Sequence, residues 1–318
     1  MGDTFSTYHP IVNLLYFVFV IGVSMFLMHP VFLSIGLICA TIYCAVLQGM
    51  KKTVKGFCLF TLPMIVIVAL INPMFNHYGV TVLFYLYNGN PITLESMVYG
   101  VAMAAMLAGV VLWFRCYNEI MTSDKFIYLF GRVIPALSLI LSMCLRFIPK
   151  FSRRMQVISN GQKCIGRDVS NGNLVEKLRH GITSLSILIT WSLESAIESA
   201  DSMKARGYGL KGRTAFSIYH LDKRDRRFLM AMAVLAGSFF AGCIRGHAYV
   251  MYNPKIRMTG FPPTVGGMLT YGVYGLFCLL PVLVDAAEGY RWARLRGEVV
   301  RAGRADYRLW DGGEVQEK

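Results

Sequence analysis

The sequence contains few charged residues. Only 16% of its 318 residues are Asp, Glu, Lys or Arg, whereas a soluble domain has about 25%. Hydrophobic residues make up 55% of the chain, and the mean hydropathy is +0.49. A globule with so little charge would not stay in water, so the composition predicts a membrane protein.

Motifs that hold nucleotides or metals are also missing. The glycines of segment 209–214 lack the G-x-x-x-x-G-K-[ST] spacing that cradles phosphates, which excludes ATP binding through a P-loop. The eight cysteines form no C-x-x-C pair, so neither a zinc site nor a disulfide framework is indicated. The six histidines have no partner of ligand type at i+4. We therefore expect no cofactor and no metal.

Long apolar runs are what the sequence does have. Six of them can cross a hydrocarbon core of about 30 Å, and they cover residues 11–28, 31–48, 57–72, 97–114, 228–244 and 268–284. No run carries a charge at its centre, which disfavours a self-contained pump or secondary transporter. Pro63 is expected to kink the third run. The sequence predicts an all-α polytopic membrane protein with about six transmembrane helices.

Basic residues are distributed unevenly between the two sides. If the N-terminus is cytoplasmic, the loop with Lys51, Lys52 and Lys55, the section 115–227 and the tail from Arg291 are also cytoplasmic. These regions hold 3, 19 and 7 Lys or Arg, against 3 in the outer loops. The positive-inside rule therefore predicts that both termini are cytoplasmic. The net charge is +14, but the cations form no stripe interleaved with stacking aromatics, so no nucleic-acid partner is expected.

The outer segment 72–96 carries no Lys or Arg. Its apolar and aromatic run 80–87 is followed by the turn sequence Asn-Gly-Asn-Pro at 88–91. Aromatic residues beside a turn at the membrane face indicate an interfacial anchor. A re-entrant or substrate-contacting loop is the alternative.

Two shorter apolar stretches, 133–145 and 181–193, lie in the section 115–227. As helices of thirteen residues each would span roughly 20 Å, too little for a membrane crossing. We interpret them as parts of two long amphipathic helices on the cytoplasmic side, joined by a turn at 170–173. The predicted organisation is N-terminal transmembrane helices (1–118), a cytoplasmic helical domain (119–227), and C-terminal transmembrane helices with a basic tail (228–318).

The second amphipathic helix has a distinctive end. Glu194, Glu198 and Asp201 share one face, with Leu193 and Ile197 among the residues on the opposite side. Gly207 supplies the left-handed residue that ends a helix, which leaves Arg206 exposed at the tip. Taken alone, such an arginine is most often a plain helix cap.

Several ordered motifs between about residues 10 and 230 resemble the transmembrane T component of energy-coupling factor transporters. The motifs are Asn72-Pro73, 91–95, 122–125, 135–149, Gln162-Lys163, 203–208 and Arg213-Thr214. The resemblance implies a non-enzymatic scaffold that links two cytoplasmic ATPases to a substrate-binding S component in the membrane. It also implies uptake of a vitamin or a transition-metal ion, with specificity residing in the S component.

In that family, an Ala-Arg-Gly segment ends each of two coupling helices, and its arginine docks in a groove of an ATPase. Ala205, Arg206 and Gly207 match this segment. The first segment departs from the pattern, because Cys164, Ile165 and Gly166 stand in its place and Arg167 is displaced by two positions. The first docking residue is thus either Ile165 or Arg167.

Two alternatives remain open at the level of the sequence. A membrane-embedded enzyme acting on lipid would need a polar cluster at the interface, and Glu194, Glu198 and Asp201 form the only dense acidic cluster. A solvated or arginine-pairing helix face explains these residues better. The other alternative is a solitary membrane anchor.

Overall fold

A computed structural model describes residues 4–77, 79–85, 91–167, 173–210, 219–252, 255–258 and 264–311. The elements, in chain order, are α1 (Pro10–Phe26), α2 (Pro30–Gln48), α3 (Met50–Gly56), α4 (Leu62–Phe75), β1 (Val82–Tyr85), β2 (Pro91–Thr93), α5 (Leu94–Ile120), α6 (Ser123–Val133), α7 (Pro135–Cys164), α8 (Leu174–Ala205), α9 (Lys223–Gly242), β3 (Val250–Met251), β4 (Arg257–Met258) and α10 (Val265–Asp311). The predicted helical membrane fold is confirmed. Residues 88–90, 170–172 and Arg213-Thr214, to which the sequence assigned turns or motifs, lie outside the described residues.

Each predicted apolar run is helical over most of its length. Within the described residues, five helical stretches are long and apolar enough to cross a membrane: Pro30–Gln48, Met50–Phe75, Leu94–Ile120, Lys223–Ile244 and Val265–Arg296. The remaining run forms α1, an apolar helix of 17 residues. That length is at the lower limit of about 17 residues for a transmembrane helix.

The prediction of a loop around Lys51, Lys52 and Lys55 is wrong, because these residues lie in helix α3. The chain breaks earlier, at Gly49, whose positive φ of 86° separates α2 from α3. Helix α3 then continues through a π-helical turn, Phe57–Thr61, into α4. Pro63 in the first turn of α4 cannot donate the hydrogen bond of a regular α-helix, so the irregular turn lies directly before it.

The chain forms two compact units, of which the first comprises Met1–Thr122 and His220–Lys318. Its core is rich in aromatic side chains from α1, α2, α5, α9 and α10. Tyr16 stacks on Phe277 with ring centroids 5.6 Å apart, and its hydroxyl donates to the Cys278 carbonyl at 2.8 Å. Trp113 is fully buried beside Tyr16. These contacts hold sequence-distant helices together.

Helix α4 packs mainly on α5 and is otherwise exposed. Gly100 permits this packing, because a Cβ there would lie 3.0 Å from the Ala69 carbonyl oxygen. Ile67, Leu70 and Phe75 are among the large apolar side chains that α4 leaves uncovered. An apolar helix with so little protein around it requires lipid or another membrane chain as its environment.

The described part of segment 72–96 contains an antiparallel hairpin between α4 and α5. Strand β1 pairs with β2, with Val82 opposite Thr93 and Tyr85 opposite Pro91. The Glu95 carboxylate fixes the base of the hairpin by accepting hydrogen bonds from the Thr81 backbone N–H at 3.2 Å and its hydroxyl at 2.8 Å. All four residues of β1 are exposed. The interfacial anchor and the re-entrant or substrate-contacting loop both remain predictions.

The second unit, Ser123–Tyr219, contains α6, α7 and α8. Helix α8 begins with a capping box formed by Asn173 and Glu176. The two long helices run antiparallel, because the start of α7 shares a groove with the end of α8, while Ile158 near the end of α7 shares one with Ser186. The two long amphipathic helices predicted from the sequence are confirmed; their position against the membrane remains a prediction.

Candidate functional site

The C-terminal end of α8 forms a tight cap. Arg206 is the last residue near helical geometry, with φ −83° and ψ 8°, and Gly207 follows with a φ of 78°. The Gly207 N–H donates to the Lys204 carbonyl at 2.9 Å, and the Tyr208 N–H donates to the Met203 carbonyl at 3.0 Å. This pair of bonds is a Schellman motif, which satisfies two of the otherwise unpaired carbonyls at the helix end.

The end of α7 has the same construction. Ile165 is the cap residue, with φ −97° and ψ 16°, and Gly166 follows with a φ of 77°. The Gly166 N–H donates to the Lys163 carbonyl at 3.0 Å, and the Arg167 N–H donates to the Gln162 carbonyl at 2.9 Å. A second Schellman motif therefore ends the first long helix.

The two caps align residue by residue. Cys164 stands where α8 has Ala205, and Ile165 stands where α8 has Arg206. Arg167 stands at the position of Tyr208, one residue beyond the left-handed glycine. The backbone thus assigns Ile165, not Arg167, to the position equivalent to Arg206.

Both cap side chains face outward. Ile165 is 65% exposed. The Arg206 side chain is exposed and, among the described residues, forms no hydrogen bond or ion pair. Arg206 therefore has its five guanidinium donors free for a partner.

The predicted docking residues lie at two separate helix ends, that of α7 and that of α8. Arg206 lines a groove of about 600 Å³ whose other wall includes Leu139 and Met143, near the start of α7. From residue 139 to Ile165 the chain runs as one helix for 26 residues, or roughly 39 Å at 1.5 Å per residue. The tips thus lie at opposite ends of the helix pair.

The acidic residues of α8 do not form a reactive cluster. Glu194, Glu198 and Asp201 are all exposed, and none of them forms an ion pair among the described residues. The sequence suggested that Leu193 and Ile197 fill the opposite side, but both are more than 60% exposed. Helix α7 covers only one side of α8, so the apolar stretch of α8 is not buried within the second unit.

The crossing of α7 and α8 is a feature that the motifs did not reveal. Lys150 donates a hydrogen bond to the Ser195 hydroxyl at 2.9 Å. Phe151 packs edge-on against Trp191, with ring centroids 6.3 Å apart, and stacks on Phe147 at 5.7 Å. Aromatic residues at i and i+4 of α7 were the available signal, but their partner on α8 could not be identified from spacing alone.

No group of three or more His, Cys, Asp or Glu side chains suited to a metal ion occurs within the described ranges. The described ends of α7 and α8 offer exposed side chains and capped backbone instead. Chemically, the α8 tip can donate several hydrogen bonds from one fixed cation, whereas the α7 tip can offer an aliphatic surface. Both are suited to docking on another protein.

Comparison with known proteins supports the resemblance seen in the motifs. The chain is 37% identical over 112 residues to the energy-coupling factor transporter transmembrane protein EcfT of Bacillus selenitireducens, which covers 33% of this chain and 42% of that protein. It is 31% identical over 105 residues to EcfT of Lactobacillus helveticus, covering 33% of this chain and 38% of that protein. EcfT 1 of Listeria monocytogenes is 39% identical over 85 residues, covering 26% and 32%.

These matches cover about two fifths of the length of the first curated relatives. No protein-family model matches the chain. Several relatives nevertheless carry the same description at 31 to 37% identity. The chain is a multi-pass membrane protein that is similar, over about a third of its length, to the transmembrane component of energy-coupling factor transporters.

Proposed function

We propose that this chain is the membrane scaffold of an energy-coupling factor importer, which transmits ATPase closure to a substrate-binding S component. The observation that carries the proposal is the pair of equivalent helix caps, with Arg206 exposed on one and Ile165 on the other. A two-ATPase assembly needs two such docking points. In this proposal, Ala205, Arg206 and Gly207 hold one ATPase, and Cys164, Ile165 and Gly166 hold the other.

The two long helices would act as levers. The arm from Lys150 to Ile165 is 15 residues long, and the arm from Ser195 to Arg206 is 11, or roughly 22 and 17 Å as helix. When ATP draws the two ATPases together, each tip moves with its ATPase, and the helices pivot where Phe151 meets Trp191. The pivot passes the motion to the membrane helices.

The S component needs an apolar surface within the bilayer. Helix α4 offers one, because most of its large apolar side chains are uncovered in the isolated chain. The cargo, a vitamin or a transition-metal ion, would be chosen by the S component and not by this chain.

Co-purification tests the assignment. The full chain, tagged and expressed in its native host, should retain two ATPase subunits and at least one small membrane protein, identified by mass spectrometry. Retention of no ATPase would reject the scaffold function and leave the solitary anchor.

The chain alone should hydrolyse no ATP, because its sequence lacks a phosphate-cradling loop. ATP turnover by a preparation shown to be free of ATPase subunits would contradict the proposal. Lipid turnover by the isolated chain would instead favour the lipid-modifying enzyme, and Glu198→Gln would then be the first variant to examine.

A further inference from the structure

An apolar groove runs between α1 and α9 in the first unit. Its buried lining includes Phe239 and Phe277, each 1% exposed, and its open side includes Val18 and Phe240, both more than half exposed. The groove encloses about 590 Å³, and every residue that lines it is apolar or glycine. A ligand would therefore be held there mainly by dispersion contacts.

Small residues create this space. Gly22 stands on the α1 wall, where an added Cβ would meet no atom within 4 Å, and Ala233 and Ala236 stand on the α9 wall. Folded chains fill their interiors to crystal-like density and leave few voids larger than a water molecule. A groove of this size along two membrane helices therefore indicates that something outside the chain fills it.

The two walls of the groove run in the same direction. Tyr8, shortly before α1, lies against Phe228 with ring centroids 5.0 Å apart, and Phe19 lies against Phe240 at 5.7 Å. The second contact is further along the chain than the first by nearly the same number of residues on both helices. Helices α1 and α9 therefore begin at the same surface of the membrane.

The dimensions of the groove favour a single hydrocarbon chain. Leu15 to Phe26 of α1 and Leu229 to Phe240 of α9 both extend for roughly 17 Å as helix. Over that length the volume gives a mean cross-section of roughly 35 Å², whereas an α-helix about 10 Å across would need about 80 Å². A hydrocarbon chain with carbon contacts at about 4 Å needs about 20 Å². Its length over roughly 17 Å corresponds to about 13 carbons.

Arg226 lies at the end of the groove where α9 begins. It stands three and seven positions before Leu229 and Ala233, hence on the same face of α9. Its side chain is exposed and forms no hydrogen bond or ion pair among the described residues. An arginine directly beyond an apolar membrane segment lies at the depth of the lipid headgroups. Because both walls begin at this surface, the groove and the cation face the same leaflet.

The carboxylates near Arg226 are engaged elsewhere. Asp222 and Asp225 form the capping box of α9, and Arg224 lies 3.9 Å from Asp225 and 3.6 Å from Glu288. An anion beside Arg226 would therefore gain a charged hydrogen bond without displacing a carboxylate of the described residues.

We propose that the groove between α1 and α9 holds one acyl chain of a membrane phospholipid, whose phosphate lies beside Arg226. The apolar walls contact the chain, and the guanidinium group offers paired donors to the phosphate oxygens. A transmembrane helix is too wide for the groove, and a free phosphate would leave its apolar walls unfilled. The site lies in the first unit and involves neither helix tip, so this inference does not depend on the proposed function.

Native mass spectrometry of the full chain in mild detergent tests the proposal, with phosphatidylglycerol and diacylglycerol as probes. The unmodified chain should retain phosphatidylglycerol more strongly than diacylglycerol. Gly22→Leu should lower the occupancy of phosphatidylglycerol by roughly tenfold, because the leucine side chain fills the groove and replaces several methylene contacts of the lipid. Arg226→Gln should weaken retention of phosphatidylglycerol several-fold but leave that of diacylglycerol, which carries no phosphate, unchanged.

The matched control is Gly237→Leu, the same substitution at a position of α9 outside the groove, where an added Cβ also meets no atom within 4 Å. This control should retain the lipid, and circular dichroism should show that both glycine variants keep their helices. Equal losses in the two glycine variants, or no retention by the unmodified chain, would overturn the proposal. A Gly22→Leu chain that keeps the lipid but loses a co-purified membrane protein would assign the groove to that protein instead. Equal effects of Arg226→Gln on the two probes would overturn the phosphate assignment.

Discussion

Arg206 and Ile165 occupy the same backbone position but offer a partner different chemistry. Each follows a helix and precedes a glycine with a φ near 78°, so the two side chains leave their helices in the same way. The hydrogen bonds of a guanidinium group are directional and charged, whereas an isoleucine contributes only through the burial of its apolar surface. The two proposed ATPase contacts should therefore differ in strength and in salt dependence.

Reversing the charge at Arg206 tests the stronger contact. Arg206→Glu should leave the chain folded, because the side chain is exposed and makes no ion pair among the described residues. It should weaken ATPase binding by about 2 to 5 kcal/mol if docking buries Arg206 and its partner group on the ATPase away from water. Arg179→Glu, an equally exposed site early in α8, is the control for charge alone. Full ATPase retention by Arg206→Glu would contradict the assignment of this tip.

At the weaker contact, two variants test whether Ile165 or Arg167 is the docking residue. Ile165→Ala should reduce ATPase binding by about 1 to 3 kcal/mol, the value of one buried aliphatic side chain. Arg167→Glu should have a smaller effect, since Arg167 corresponds to Tyr208 and not to Arg206. Binding measurements in low and high salt check both variants. A larger loss for Arg167→Glu than for Ile165→Ala would show that the charge, displaced by two positions, does the docking.

Among the elements, the helix ends were the most predictable part of the site. A glycine after the last periodic residue indicates a left-handed cap, and the sequence predicted Gly207 correctly because only local backbone energetics are involved. The same conformation at Gly166 was not predicted. The helix at Lys51, Lys52 and Lys55 was missed, since charge suggested a loop although Gly49 is the only strong break there. Charge reports solvent exposure, and it does not report helix propensity.

The left-handed conformation of Gly207 leads to a further prediction. Gly207→Ala should cost about 1 to 2 kcal/mol in the cap conformation, and its Cβ would lie 3.0 Å from Leu210. The cap would then rearrange and misplace Arg206, so ATPase retention should fall while the membrane helices stay folded. Gly161→Ala is the matched control, because Gly161 lies inside α7 with free space around it. Equal retention by the two variants would show that the cap geometry does not matter for docking.

At the scale of the whole molecule, the number of apolar helices followed from composition, but their partners did not. Membrane helices that are apolar on all sides give no periodic signal for the face that packs. The pairing of Tyr16 with Phe277 joins residues at opposite ends of the chain, and nothing in their spacing foretells it. The contact between α7 and α8 at Trp191 could not be predicted for the same reason, because it depends on which helical turns of α7 and α8 pack against each other.

Orientation across the membrane gives the last prediction. The positive-inside rule places the segment from Lys150 to Arg179 in the cytoplasm and the hairpin of β1 and β2 outside. A cysteine at Leu174, which is 85% exposed, should react with an impermeant thiol reagent only after the cells are opened. A cysteine at Tyr85, which is 69% exposed, should react in intact cells and serves as the positive control.

Both substitutions belong in a chain whose exposed thiols Cys58, Cys144 and Cys164 are replaced by serine, since these would otherwise react. The buried thiols of the first unit, such as Cys116 and Cys278, can stay. Labelling at Leu174 in intact cells would put the second unit on the outside. The tips at Arg206 and Ile165 could not then meet cytoplasmic ATPases, so this one result would reject both the topology and the proposed coupling.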